Sequence, residues 1–352
     1  MITMDHKPVR IAFLGDIMPG GILTGQEIKL SNDLQRYLSS FDLIVGNLEA
    51  PIGDKLMKFD SGKISDRFNI VYALNSDLSK LAKLGVNIVS LANNHIHDLG
   101  EAGLRNTMSL LEKMGIKYTG AGINSMEASK PAVIKRMGKS YAFIAACAKR
   151  HVGYITVADE TSSGVNYLDT DKICDQIREA KELYDYVFLI PHWGSEETYW
   201  PEPDLFFQVN MFINAGVDGI IGGHSHRVQP KIIIKKIPEF YSLGNFLFPS
   251  FYIIPPRPIY YPTEIEKGKI KDVVYDYPFP ARTVALKKWK KKQRIGMIGE
   301  IVINENVINS SYRFSILKFD SELELINHNL LLSFKLLCIA NFAKFNYPLF
   351  YN

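Results

Sequence analysis

The sequence predicts an α/β layered fold with a functional rim at the ends of its strands. Three observations carry that expectation. Short apolar runs of strand length recur through the first 250 residues, segments with helical spacing separate several of them, and five runs finish on a residue that can bind a metal ion. Continuous apolar runs are the mark of strands buried on both faces, and strands alternating with helices stack into layers.

The strand-like runs are Arg10 to Leu14, Leu43 to Val45, Ile88 to Leu91, Tyr141 to Ala145, Val187 to Ile190 and Gly219 to Ile221. Helical spacing marks Asp77 to Leu84, Gly100 to Met114, Lys172 to Tyr184 and Asp204 to Ala215. Gly85, Gly115 and Gly216 each follow the last periodic residue, where a left-handed C-terminal cap favours glycine. Pro131 to Cys147 reads as two strands joined at Met137-Gly138-Lys139. Beyond Asn245 the pattern changes to a Pro- and Tyr-rich loop from Pro249 to Pro262, then to a polar stretch as far as Pro280. Thr283 to Phe319 reads as strands, with the lysine run at a solvated hairpin tip and Gly299 to Ile303 as the strand that follows. An amphipathic helix within Leu323 to Phe345 is expected to dock on the domain. Residues 1–250 thus form one domain, and 251–352 an extension packed on it.

Composition excludes several classes of protein. Of 352 residues, 47% are apolar and 22% charged, which suits a folded globule and not a disordered chain. The net charge is +4 and much of the basic excess lies in Lys287 to Arg294, so no general nucleic-acid footprint is present. Cys147, Cys174 and Cys338 are odd in number and widely spaced, which argues against a disulfide framework or a zinc-thiolate site and for a reducing compartment. Met1 to Arg10 holds no continuous apolar stretch, so the expectation is a chain without a secretory signal, located in the cytoplasm. Asn327, His328, Asn329, Ser333, Lys335, Asn341 and Lys344 interrupt Leu323 to Phe345, which is too polar to span a membrane but leaves peripheral contact open. Helix-turn-helix, Walker and dinucleotide motifs are absent, and nothing sets an oligomeric state.

The chemistry lies where the strands stop. Asp16, Glu49, Asn94, His192 and the pair His224/His226 each close an apolar run, and sites in open α/β sheets gather beyond the carboxyl ends of strands. Taken singly, an aspartate after a strand is commonly a turn or cap, and a histidine is commonly a hydrogen-bonded core residue. Gly222-Gly223-His224-Ser225-His226 is harder to explain that way, because small residues allow close backbone approach and His-x-His can present two imidazoles to neighbouring metals. Jointly the residues point to a metal site.

The ordered series Gly15-Asp16-Ile17-Met18, Gly46-Asn47-Leu48-Glu49, Ala92-Asn93-Asn94-His95 with Asp98 and Gly100, His192-Trp193-Gly194, Gly222 to His226, and Ser242-Leu243-Gly244-Asn245-Phe246 resembles the CapA family. That family is named for capsule and poly-γ-glutamate biosynthesis and belongs to the calcineurin-like metallophosphoesterase superfamily. The resemblance covers Val9 to Pro249. It implies a four-layer α/β/β/α sandwich and one or two divalent metal ions, with Mn, Fe and Zn suited about equally. Asp16 and His226 would hold the first metal, Asn94, His192 and His224 the second, and Glu49 would bridge them. His95 would be catalytic, with Asn245, Asp98 and His97 supporting the loops.

One departure stands out. Asp16-Ile17-Met18 replaces the superfamily's Asp-x-His, and a thioether is a poor donor in an oxygen and nitrogen site, so Met18 is expected to pack instead. A single-metal site is the alternative. The activity implied is metal-dependent hydrolysis, of a phosphoester foremost, on a small molecule or anionic polymer. Two alternatives stand beside it: assembly or release of polyglutamate or polysaccharide through the same metals, and a non-catalytic accessory role with a depleted site. Imidazoles ligate only when neutral, so occupancy and activity are expected to fall below about pH 6.

Overall fold

The alternation of apolar residues in the long strands explains how the layers are built. In β6 (Lys139–Cys147), Tyr141, Phe143, Ala145 and Cys147 belong to one apolar cluster, while Ala142, Ile144 and Ala146 belong to another. Successive side chains of a strand point to opposite faces, so one set packs against a second sheet and the other against helices. The computed structural model describes residues 7–53, 70–150, 152–253, 259–260, 285–318, 321–326 and 329–346.

The first sheet has β1 (Val9–Ile17), β2 (Leu43–Leu48), β3 (Ile88–Ser90) and β4 (Lys117–Thr119) side by side and parallel. The second has β5 (Ala132–Arg136), β6, β7 (Tyr186–His192), β8 (Gly219–Ile221), β9 (Lys231–Ile234) and β10 (Ile237–Phe240), in the order β9-β10-β8-β7-β6-β5. β11 (Asn245–Leu247) returns to the first sheet parallel to β1. On the same flank of β1, opposite β2, the antiparallel series β12 (Ile295–Asn304), β13 (Val307–Leu317) and β14 (Glu322–Ile326) continues that sheet. The first sheet therefore has a parallel half and a largely antiparallel half, and the second a parallel centre with antiparallel margins.

The sheets meet through aromatic side chains. The Phe13 ring lies 6.2 Å from Phe143 and 5.7 Å from Phe188, and the latter two stack at 5.4 Å. Outside the second sheet, α5 (Thr170–Leu183) and α6 (Pro203–Ala215) cover Val187, Leu189 and their neighbours with Ile173, Ile177, Val209 and Phe212. Outside the first, α1 (Asn32–Leu38), α2 (Ser79–Lys83) and α3 (Gly100–Lys113) contribute Leu34, Leu38, Leu81, Leu104 and Leu111, and the short α4 (Ser125–Ser129) follows. This is the α/β/β/α sandwich that the resemblance implies. The expected hairpin at Met137-Gly138 forms, with both residues at positive φ, and Gly85, Gly115 and Gly216 cap their helices at φ of 71°, 70° and 106°.

Three expectations for the C-terminal part need correction. The lysine run is not a hairpin tip: it connects Ala285–Lys287, paired with Phe251–Ile253, to β12, and Trp289 within it is buried. A hairpin reading assumed that the run's charge governs the whole segment, whereas one indole outweighs it locally by filling an apolar cavity. The actual hairpin turn is Glu305-Asn306, both at positive φ. The final helix, α7 (Leu330–Asn346), is apolar on both faces and not amphipathic. The Pro- and Tyr-rich segment carries two short strands, Phe251–Ile253 and Ile259–Tyr260; the side chains of Tyr252, Tyr260 and Tyr261 lie outside the described residues.

Candidate metal centre

Strand register delivers the candidate ligands to one place. Asp16 on β1 is in register with Asn47 on β2 and with Asn245 on β11, and the end of β7 bridges His192 to Gly223. The chain can only come this close because side chains are missing at two points. A Cβ at Gly15 would lie 1.9 Å from the Gly244 carbonyl oxygen, and one at Gly223 would touch Asp16 Oδ1 at 3.0 Å. His224 and His226 both adopt positive φ, 91° and 50°, a conformation uncommon outside glycine that concentrates at functional sites.

Two donor groups share Glu49. Glu49, His192 and His224 place ligand atoms within 4.8 Å of one another, and so do Asp16, Glu49 and His226. Glu49 Oε1 lies 3.7 Å from His192 Nε2 and 3.8 Å from His226 Nε2. Asn94 Oδ1 stands 3.0 Å from His192 Nε2, and His224 Nδ1 3.1 Å from the same atom. With bonds of about 2.1 Å, cis donors around a metal stand about 3.0 to 3.4 Å apart; the spacings of 3.0 and 3.1 Å around His192 suit a common cation, and Glu49 Oε1 stands slightly wider at 3.7 and 3.8 Å.

The hydrogen-bond inventory tests that fit independently. Asp16 Oδ2, Glu49 Oε1 and His224 Nε2 are buried without a hydrogen-bond partner. Imidazoles stand 3.5 to 3.8 Å from the two carboxylate oxygens, beyond hydrogen-bond reach, and a cation coordinated between these buried oxygens would remove the cost of leaving them without a hydrogen bond. The site residues therefore fit a divalent metal. Met18 does not contribute, since it packs in an apolar cluster with Ala50, Val71, Phe248, Phe251 and Trp289.

Electrostatics divide the cluster. Burial pushes the His192 imidazole well below its ordinary pKa, helped by His224, His226 and His95, and burial pushes His224 down to about 4. Burial acts the same way on His226, but Glu49, Asp16 and Glu196 outweigh it and hold that imidazolium up to about 10. Burial and the neighbouring Asp16 push Glu49 well above the usual carboxylate range.

The remaining candidates separate into supports and outliers. Asn245 Oδ1 lies 2.8 Å from His226 Nδ1 and its amide nitrogen donates to the Gln293 carbonyl at 3.0 Å, which leaves Nε2 directed at Glu49. Asp98 Oδ2 lies 2.8 Å from His95 Nδ1 and accepts from the Val71 amide at 2.8 Å. His95 is partly exposed and near enough for its imidazole to help lower His192 and His224. His97 is not part of the cluster; its Nε2 is 2.9 Å from Ser163 Oγ in the neighbouring loop.

Three contributors escaped the sequence reading. Asn47 donates to Asp16 Oδ1 at 2.9 Å and to Glu49 Oε2 at 3.4 Å, and its Nδ2 is 3.4 Å from His192 Nδ1. Asn93 donates to Asn47 Oδ1 and to the Leu48 carbonyl while accepting from the His95 and Ile96 amides, so it shapes the His95 turn. Glu196, four residues beyond His192, is exposed on the rim; burial works against its charge, but His226, His224 and Lys287 lower its pKa. The two asparagines stood inside the quoted strand ends, and the only prior signal for Glu196 was an acidic pair following His-Trp-Gly.

The sandwich is a metallophosphoesterase-type α/β fold, and the donors at its rim form a candidate metal centre. A family model described as "Bacterial capsule synthesis protein PGA_cap" matches residues 10–250, and the chain belongs to that family. It is 26% identical over 261 residues to the capsule biosynthesis protein CapA of Bacillus anthracis, covering 69% of this chain and 61% of that protein. To the PGA biosynthesis protein CapA of Bacillus subtilis (strain 168) it is 27% identical over 252 residues, covering 70% and 65%. The matched part is thus less than two thirds of either relative's length. The structure of Haemophilus influenzae NAD nucleotidase (NadN) aligns over 92% of this chain and 54% of its own, with a TM-score of 0.42 and 12% identity.

Proposed function

We propose that the chain is a metal-dependent hydrolase, of phosphate esters foremost, that acts in the metabolism of a capsule or polyglutamate-type envelope polymer. The observation that carries the chemistry is Glu49, whose unpartnered Oε1 stands between His192 Nε2 and His226 Nε2 and belongs to both donor groups. The pathway rests on the family and on the printed names of its relatives.

Asp16, Glu49 and His226 would hold one divalent cation, and Glu49, Asn94, His192 and His224 another. When bound, such cations supply Lewis-acid polarisation of the ester and an acidified water as nucleophile. The chain's own groups do the rest. Asp98 accepts a hydrogen bond from His95 Nδ1 and so fixes the ring, from which the doubly protonated imidazole would give its Nε2 proton to the departing oxygen. Asn47 ties Asp16 to Glu49, and Asn245 fixes the tautomer of His226.

The reading is tested by elemental analysis of the purified chain together with hydrolysis of an aryl phosphate monoester and diester. Two metals per chain, turnover on one ester, and loss of turnover in His192→Ala and His95→Ala are the expected results. Metal bound at full stoichiometry with no turnover on either ester would replace hydrolysis of phosphate esters with action on a different bond in the same polymer.

A further inference from the structure

Helix α7 has two apolar faces, and only one of them is covered. Leu332, Leu336, Ile339, Ala340 and Ala343 are buried against the domain, but Leu330 is 79%, Leu331 82%, Phe334 65%, Leu337 57% and Phe342 54% exposed. Trp200, itself 48% exposed, meets Phe342 edge-on at 5.3 Å and extends the surface onto the loop that follows His192. Large contiguous apolar surface on a folded chain marks an interaction site.

Charge identifies the partner. From Leu325 to Asn352 the sequence contains Lys335 and Lys344 and no Asp or Glu. Lys335 Nζ sits 3.6 Å from the Tyr199 ring, beside Trp200 on the same loop. Two residues back, Glu197 is neutralised by Arg227 and hydrogen-bonded by Gln293. Gln293 closes the Lys291–Gln293 turn, where Lys290, Lys291 and Lys292 are exposed. One loop therefore joins an apolar helix face to a basic cluster.

We propose that α7 and the Lys290–Lys292 cluster dock the protein on an anionic lipid surface, with the helix lying in the plane of the interface. Partial insertion of apolar side chains plus attraction of lysines to acidic headgroups is the pairing that makes peripheral attachment stable. None of the described helices is long and apolar enough to cross a membrane. A second copy using the same patch would set like charges against each other, and an anionic polymer would leave the leucines and phenylalanines unmatched.

The test is co-sedimentation of the full chain with vesicles of phosphatidylcholine alone or mixed with phosphatidylglycerol. Wild type should pellet with the mixed vesicles, bind neutral ones about tenfold more weakly, and release as salt rises. The triple variant Leu331→Glu/Phe334→Glu/Leu337→Glu should lose at least about tenfold in binding while keeping its circular dichroism and ester hydrolysis or metal content. Lys290→Ser/Lys291→Ser/Lys292→Ser should bind both vesicle types at the neutral level. Should the helix variant misfold, tryptophan emission decides, because docking should shift it to shorter wavelength in wild type and not in Trp200→Phe, which keeps Trp193 and Trp289. Wild type that stays in the supernatant with both vesicle types, vesicle binding unchanged by the helix variant, or a wild-type dimer that this variant converts to monomer would each overturn the proposal.

Discussion

The two halves of the candidate metal centre both present buried imidazoles to Glu49, yet one half is neutral and the other charged. On one side of Glu49, burial keeps His192 and His224 neutral. On the other, burial is overcome by Glu49, Asp16 and Glu196, and His226 is held as an imidazolium up to about 10. The difference lies in the number of carboxylates within reach. A neutral half can accept a cation directly, whereas the charged half must first release a proton, so binding there is linked to pH.

The largest break in this comparison should come from Glu49→Gln, which removes the residue common to both halves. Metal content should fall from two to near zero and turnover by more than about a hundredfold. Retention of both metals by elemental analysis would mean that Glu49 bridges nothing.

Titration sharpens the contrast next. Because His226 binds its proton up to about 10, affinity at that half should fall roughly tenfold for each unit by which pH is lowered across the neutral range. His224 stays neutral down to about 4, so its half should hold metal to much lower pH. Stoichiometry measured against pH should therefore step from two to one well before it reaches zero, in place of the joint loss below about pH 6 that the imidazoles alone suggest. Simultaneous departure of both metals would show that the halves are not electrostatically distinct.

Smaller effects come from the supports. Asn245→Ala removes the acceptor at His226 Nδ1 and should weaken metal binding at that half by about 10- to 100-fold with little change at the other. Equal weakening at both would assign Asn245 a general packing role. Met18→His introduces a polar ring among Ala50, Phe248 and Trp289 and should cost the metal-free protein about 1 to 3 kcal/mol in denaturant melts. If the new imidazole reaches the cation, added metal should recover that loss; a loss unchanged by metal would leave position 18 a packing position only.

Much of this arrangement was legible along the chain, and the reason is local. Buried strands must be apolar, so a carboxylate or imidazole at the end of an apolar run is conspicuous, and Asp16, Glu49, His192 and His224 could be singled out before any fold was known. The hairpin at Met137-Gly138 and the capping glycines were legible for the same reason, since a positive φ constrains the residue that occupies it. Asn47, Asn93 and Glu196 were not, because what makes them matter is a partner 31, 46 or 30 positions away: Asp16, Asn47 and His226 respectively.

Composition and pattern settle the layers, the rim and the kinds of atom that reach it. Tertiary structure decides the rest. Trp289 sits in a lysine run yet is buried beside His226, at 5.5 Å between rings, because apolar area is removed from water by neighbours that the local sequence does not name. Likewise, His224 and His226 are two residues apart and identical in type, but one is neutral and the other charged. A pKa is set by the charges and solvent around a group in space, and those are brought together only when the chain has folded.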